Sequence, residues 1–244
     1  MLSTVTKDHA SGDAYLNLAC PVCGCLPVPH LKHDRYFIDR CPDCDFIYVR
    51  NVPAEGSRTA AFGTPTAGAA SRLRARGRLF ENLGNWLHTR NVVRYAQGRR
   101  RVLQIGDGSE YLLSALRSTG KFDHAGISVA ETSLSKSAGL FVANGNLLDH
   151  HYPGEHFDFI VGVHVLHRVH HLGEFVREVR RILSPRGRVY FIVPRNTCSE
   201  PPERLWQFSA PALQQFFADH GFRVIFVRGR PSRTHLSILA EKPS

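Results

Sequence analysis

The sequence predicts an α/β protein, with a doubly wound, mostly parallel sheet behind a small cysteine-rich N-terminal module. Three observations predict it. From Arg101 onward, short apolar runs alternate with amphipathic segments, as in successive β–α–β units. One run, "FDFIVGVHVL" from Phe157 to Leu166, is apolar almost throughout, as a strand buried on both faces must be. Near the N-terminus, four cysteines fall into two C-x-x-C pairs.

The pairs are Cys20 and Cys23 in "CPVCGC" and Cys41 and Cys44 in "CPDC", separated by the seventeen residues 24–40. Two residues between cysteines let both sulfurs of a tight turn face one cation, and two such knuckles complete a tetrahedral S₄ shell that suits Zn²⁺. With all four ligands supplied by protein the site is closed, hence structural rather than catalytic. The intervening "HLKHDRYFIDR" and the following "DFIYVR" read as short strands of a zinc ribbon over 1–50. Cys25, His30 and His33 are surplus side chains beside the site, and Cys198 stands alone. Residues 51–71, rich in Ala, Gly, Pro and Thr with no apolar period, read as a linker.

The main domain is expected over 72–244. Residues 72–97 read as one or two helices covering the sheet. "RVLQIG" is a strand, followed by a helix through Leu112, Leu113 and Leu116. "HAGISV" and "LFVANG" are the second and third strands, with a short helical piece around "ETSLSKSA" between them. After the buried run come the helix "LGEFVREVRRIL", ended by Ser184-Pro185, and the strand "RVYFIVP". A helix capped by Ser209 and stopped by Gly221 leads to "FRVIFVRGR" and "THLSILAEK", which lack an intervening helix and so pair antiparallel. In such sheets ligands bind beyond the carboxyl ends of the strands, at the point where strand order reverses. That places Gly106 to Glu110, Ser128, Asn146 and the stretch after Val163 around one crevice.

At 244 residues, 43% hydrophobic and 21% charged, the chain has the composition of a soluble globular protein. No segment reads as a signal peptide or a membrane span, so a cytoplasmic protein with reduced cysteines is expected. The net charge of +10 comes mostly from arginine. Nine arginines lie between Arg72 and Arg101, a stretch whose one acid is Glu81, and they read as the solvated helical face of an Arg-rich chain. Neither nucleic acid nor a membrane is therefore expected as a partner.

The block from Val102 to Lys242 resembles the class I S-adenosylmethionine-dependent methyltransferases, whose fold is Rossmann-like. With its cysteine pairs, it resembles the subgroup that has an N-terminal zinc module and acts on sugars or other small biosynthetic intermediates. "HFDFIVGVHVLHRVHHLGEFVREVRRILSPRGRVYFIVP" is similar to the family's fourth strand, loop, helix and L-x-P-G-G turn, and "FSAPALQQFFADHGFRVIFV" to its usual ending. The resemblance implies S-adenosylmethionine as cofactor, held by residues at the positions of Gln104, Gly106, Asp107, Gly108, Ser128, Asn146, Leu147 and Val163. The sequence departs from the family at three anchoring acids, which are here Gln104, Ser128 and Asn146, and at a glycine that is here Glu110. A charge-assisted hydrogen bond is worth roughly 1.5–3 kcal/mol, so weakening two or three of them lowers affinity by a factor of roughly 10² or more.

Seven histidines lie between His150 and His171. The resemblance places the loop after the fourth strand opposite the transferring methyl, where His164 or His167 would serve as general base; a pKa near 6.5 leaves histidine largely neutral at pH 7. His150, His151, His156 and His170 read as exposed loop residues. A metal site made from the cluster, with Asp149, is the alternative. Three functions stay open on the sequence. One is a small-molecule methyltransferase whose zinc module helps shape the acceptor site. Another is a degenerate relative that transfers no methyl and serves as partner or scaffold of a biosynthetic protein, or catalyses a different reaction. The third is an RNA-binding or RNA-modifying protein.

Overall fold

A computed structural model describes residues 4–7, 14–17, 19–26, 28–33, 36–53, 90–106, 112, 116, 119–120, 122–128, 142–194, 205–229 and 235–244. In chain order the strands are β1 (Thr4–Lys7), β2 (Ala14–Asn17), β3 (Val28–His33), β4 (Tyr36–Arg40), β5 (Ile47–Val49), β6 (Asn51–Pro53), β7 (Arg101–Gly106), β8 (Asp123–Ser128), β9 (Val142–Asn144), β10 (Phe157–Val163), β11 (Leu183–Pro194), β12 (Trp206–Gln207), β13 (Arg223–Arg228) and β14 (His235–Glu241). Residues 90–95 are helical, and α1 (Leu172–Ile182), α2 (Ala210–Asp219) and a 3₁₀ turn over Leu147–His150 follow.

Seven strands form the main sheet in the order β13-β14-β11-β10-β7-β8-β9. The five from β9 to β11 run parallel, and β14 lies antiparallel to both β11 and β13. That is the doubly wound, mostly parallel sheet with an antiparallel end that the apolar runs predict. Period-two alternation sends each central strand's side chains to two cores. Leu103, Ile105, Ile160, Val189 and Phe191 enter the core containing α1 and α2, whereas Val102, Phe159, Val161, Tyr190 and Ile192 meet Val92, Ala96, Leu112 and Leu116 on the other face.

Local sequence explains the helices. In α1, Leu172, Phe175, Val176, Val179 and Ile182 are buried at helical spacing, with Glu174 in the first turn and Arg180 and Arg181 in the last, complementing the helix dipole. In α2 the Ser209 hydroxyl accepts from the Ala212 N–H at 3.1 Å, and Gly221 leaves the helix with φ +78°. No helix among the described residues is long and apolar enough to cross a membrane.

Two expectations need correction. The stretch expected to be linker begins with a strand: β6 pairs with β2, and with β1 they form a three-stranded sheet. Residues 54–71 of that stretch lie outside the described residues, as do 72–89 and 131–138. Ser184-Pro185 is not a spacer between helix and strand, because β11 starts at Leu183 directly after α1, and Leu183 pairs with Phe157. A third sheet, ordered β12-β5-β4-β3, joins the cysteine-rich module to a strand from the main domain. The two share one core, in which Cys20, Phe46 and Tyr48 lie with Leu103, Phe191 and Trp206. Pairing of β12 with β5 is a contact between segments more than 150 residues apart in sequence, and no local pattern announces it.

Two predictions follow from this packing. A Cβ at Gly162 would lie 2.0 Å from Cε1 of Phe191, whose ring is itself packed against Phe175 and Phe217. Gly162→Ala should therefore destabilise the chain by about 1–3 kcal/mol, seen as a lower midpoint in urea unfolding. At the opposite end of the sheet, Asp158 accepts from the N–H groups of Arg100 (3.2 Å) and Arg101 (3.0 Å) and from the Arg101 guanidinium at 2.7 Å. Partial burial opposes ionisation, but these donors outweigh it and lower the carboxyl from 3.8 to about 2. A depressed folded pKa stabilises fully above the unfolded value and is lost as pH falls, here from about 4 toward 2. Asp158→Asn should flatten that acid limb in urea melts taken between pH 7 and pH 2.5.

Candidate functional site

The four cysteines of the two pairs converge. Their sulfurs all lie within 4.8 Å of one another, with Cys20 and Cys44 at 3.5 Å and Cys23 and Cys41 at 3.2 Å. A tetrahedron of sulfurs about 2.3 Å from a central metal has edges of about 3.8 Å, so the donor set and its spacing suit a metal ion. The knuckles repeat one geometry. The N–H of Cys20 donates to Cys25 O (3.1 Å) and that of Gly24 to Cys20 O (2.8 Å); the N–H of Cys41 donates to Phe46 O (2.8 Å) and that of Asp45 to Cys41 O (3.1 Å). Both turns need a left-handed residue, supplied once by Gly24 at φ +76° and once by Asp45 at φ +57°, whose carboxylate is held by Arg40.

Burial pushes the Cys20 thiol up to about 11. Cys23 is also partly desolvated, yet hydrogen bonds from the Cys25 backbone and from Cys41 bring it down to about 7. Cys25, read as surplus, donates to Asp43 Oδ2 at 2.5 Å and forms a second, exposed cluster with Asp43 and Cys23. Among the described residues, only these cysteine-centred groups bring three potential ligand atoms within 4.8 Å. The histidines between His150 and His171, with Asp149, form no such group among the described residues.

The second candidate site lies at the carboxyl ends of β7 to β10. β7 has β8 on one side and β10 on the other, and the strand order reverses between β7 and β10. Gly106, with φ +108°, pairs in register with Val163, and a Cβ on it would lie 2.1 Å from Val163 O. Ser128 pairs with Asn144 at the ends of β8 and β9. Asn146 caps the 3₁₀ turn, its Oδ1 accepting from the Leu148 N–H at 3.3 Å, and Leu147 is buried behind it. Four neighbouring strand ends thus bring Gln104, Gly106, Ser128, Asn146, Leu147 and Val163 to one edge of the sheet. Asp107, Gly108 and Glu110 lie outside the described residues.

Gln104 is 0% exposed, and neither its Oε1 nor its Nε2 has a hydrogen-bond partner among the described residues. Leaving a buried donor or acceptor unpaired costs roughly 1–3 kcal/mol.

Beyond β10 the chain turns through His164, whose φ of +52° is rare for a residue with a side chain and whose N–H donates to Ile192 O at 3.0 Å. The His164 ring meets that of His235 at 4.8 Å and that of His167 at 6.1 Å, both edge-on. His167 is 4% exposed. His235 was not legible as a site residue: it stands at the start of a C-terminal strand far from the cluster, and only its register with Pro194 carries it to this end of the sheet. His151 and His156 are exposed as expected, but His150 and His170 are half-buried rather than exposed. His150 is drawn in by its 3₁₀ turn and the neighbouring Tyr152 ring, 5.9 Å away.

A family profile described as a methyltransferase domain matches residues 75–227. No curated protein matches the sequence significantly. Among solved structures, the chain resembles a Burkholderia thailandensis 1,6-didemethyltoxoflavin-N1-methyltransferase with bound 1,6-didemethyltoxoflavin and S-adenosylhomocysteine (16% identity, 88% of this chain and 99% of that one, TM-score 0.58). It also resembles a chain from the complex between the Haloferax volcanii Trm112 methyltransferase activator and a methyltransferase (17%, 70% and 96%, TM-score 0.56). A third is the [4+2]-cyclase SpnF (17%, 66% and 82%, TM-score 0.55). The fold is shared with all three, and the profile match covers well over half of the sequence. The chain belongs to the methyltransferase-domain family.

Proposed function

We propose, from that membership, that the chain binds S-adenosylmethionine across the carboxyl ends of β7, β8 and β9 and methylates a small biosynthetic intermediate, such as a sugar or natural-product precursor. When bound, the cofactor supplies an electrophilic methyl group on a sulfonium. The observation that carries the reading is the left-handed Gly106 at the end of β7, where strand order reverses and where the family places the glycine of its cofactor turn. Gln104 Oε1 would accept from the cofactor's ammonium, Ser128 would meet the ribose, and Asn146 and Leu147 would border the adenine. His164 or His167 would take the acceptor's proton as it attacks, with positioning contributing most of the rate. The Burkholderia neighbour, with its bound small molecule and S-adenosylhomocysteine, supports a small-molecule acceptor over a partner biosynthetic protein.

A second reading is favoured by the same crevice. Three anchors that carry charge in the family are neutral here, and a neighbour of this fold is a [4+2]-cyclase. On this reading the chain transfers no methyl and either catalyses another reaction in the pocket or serves as a scaffold. Calorimetric titration with S-adenosylhomocysteine separates the two. Methyl transfer requires binding below millimolar ligand, tightened about 10²-fold by combining Gln104→Asp, Ser128→Asp and Glu110→Gly. No detectable heat at millimolar ligand would remove the methyltransferase reading.

The four-cysteine cluster we assign to one structural Zn²⁺, closed to water and substrate. The protein as purified should carry one zinc per chain by elemental analysis, and Cys41→Ser should release it and lower thermal stability. A chain that folds equally well without zinc would contradict the assignment.

A further inference from the structure

Strand β12 belongs to the main domain by sequence and to the ribbon by hydrogen bonding. Trp206 pairs with Tyr48 and Gln207 with Ile47 at the edge of β5. Just before it, Leu205 faces two ways: its carbonyl accepts from the Val49 N–H at 3.0 Å, and its own N–H donates to His167 O at 2.8 Å. The Trp206 N–H reaches the same His167 carbonyl at 3.4 Å, and the indole Nε1–H donates to Val169 O at 2.5 Å. The indole ring stacks on Phe46, with centroids 6.4 Å apart and planes 15° apart. Phe46 O is the acceptor that closes the Cys41 knuckle.

A connected path among the described residues joins the cysteine cluster to the loop carrying His167: the Cys41–Phe46 hydrogen bond, the Phe46–Trp206 stack, and the bonds from Leu205 and Trp206 to His167 and Val169. Phe46, Leu205, Trp206 and His167 are all at least 96% buried. A close-packed interior of this kind shifts as a unit or not at all, so a displaced knuckle cannot be absorbed by solvent along the way.

We infer that Trp206 is the positioning residue for the His164–Val169 loop, and that metal in the four-cysteine site and ligand in the crevice are thermodynamically coupled through it. The metal holds the Cys41 knuckle closed, Phe46 and β5 hold Trp206, and Trp206 with Leu205 sets the loop that borders the crevice. The coupling rests on the reading of the crevice as a ligand site; the positioning role does not. Because coupling between two binding sites is reciprocal, the ligand must tighten metal retention by the factor by which metal tightens the ligand.

Three measurements on the full chain test this. First, hydrogen exchange is followed with metal bound and after chelation. The amides of Leu205 and Trp206 should lose protection together with Val49, while Val179 in α1 keeps it; unchanged protection at Leu205 and Trp206 would overturn the inference. Second, S-adenosylhomocysteine is titrated into both forms. Binding should weaken about 5–150-fold without metal, the usual span of coupling between sites. Equal affinity overturns the coupling and leaves the cofactor reading intact, whereas no binding even to metal-loaded protein removes the cofactor reading and, with it, this coupling. Third, Trp206→Phe keeps a stacking ring and deletes the Nε1–H donor without touching a cysteine. It should retain its metal yet move the His167 ring resonances in NMR; unmoved resonances would overturn the positioning role, even if chelation unfolds the chain.

Discussion

Most of the molecule is organised around one close approach, where the end of β7 meets the end of β10. Gly106 pairs with Val163 so tightly that any side chain would collide with the Val163 carbonyl. Gly106 takes its left-handed conformation at the point where strand order reverses. That single contact fixes where β7 must end and where the loop through His164 must begin. It lies at the switch point where sheets of this kind bind ligands. A glycine that would otherwise be read only as room for a ligand is thus demanded first by packing of the protein's own backbone.

The chemistry around that contact is neutral where the family places charge. Gln104 keeps an acceptor oxygen where the family has an acid but adds a donor, and it lies fully buried. Asn146 spends its side-chain carbonyl on capping the turn over Leu147–His150. A carboxylate can only accept, whereas a carboxamide both donates and accepts. A cofactor held there, as proposed, would meet carboxamides in place of acids, and its donors and acceptors would have to match them.

The ribbon is more than an appended module. It contributes Cys20, Phe46 and Tyr48 to the same core as the central strands, and its sheet is completed by Trp206 and Gln207 from beyond β11. A small cysteine-rich unit has too little apolar surface to hold itself together, so the shared core supports it. The cost of this arrangement is that the ribbon and the His167 loop cannot rearrange independently.

Local patterns determined much of this protein directly. The strand "RVLQIG", the helix that Ser209 caps and Gly221 ends, and the antiparallel pairing of the last two strands all follow from apolar period, capping chemistry and the absence of an intervening helix. The convergence of Cys20, Cys23, Cys41 and Cys44 also follows from spacing, because each knuckle is a local turn. Tertiary structure alone decided the rest. The strand character of Asn51–Pro53, the seat of Trp206 beside Tyr48 and the meeting of His235 with His164 all depend on partners distant in sequence. Such contacts are selected by the global packing of the chain, and a periodicity of two or three and a half residues carries no information about them.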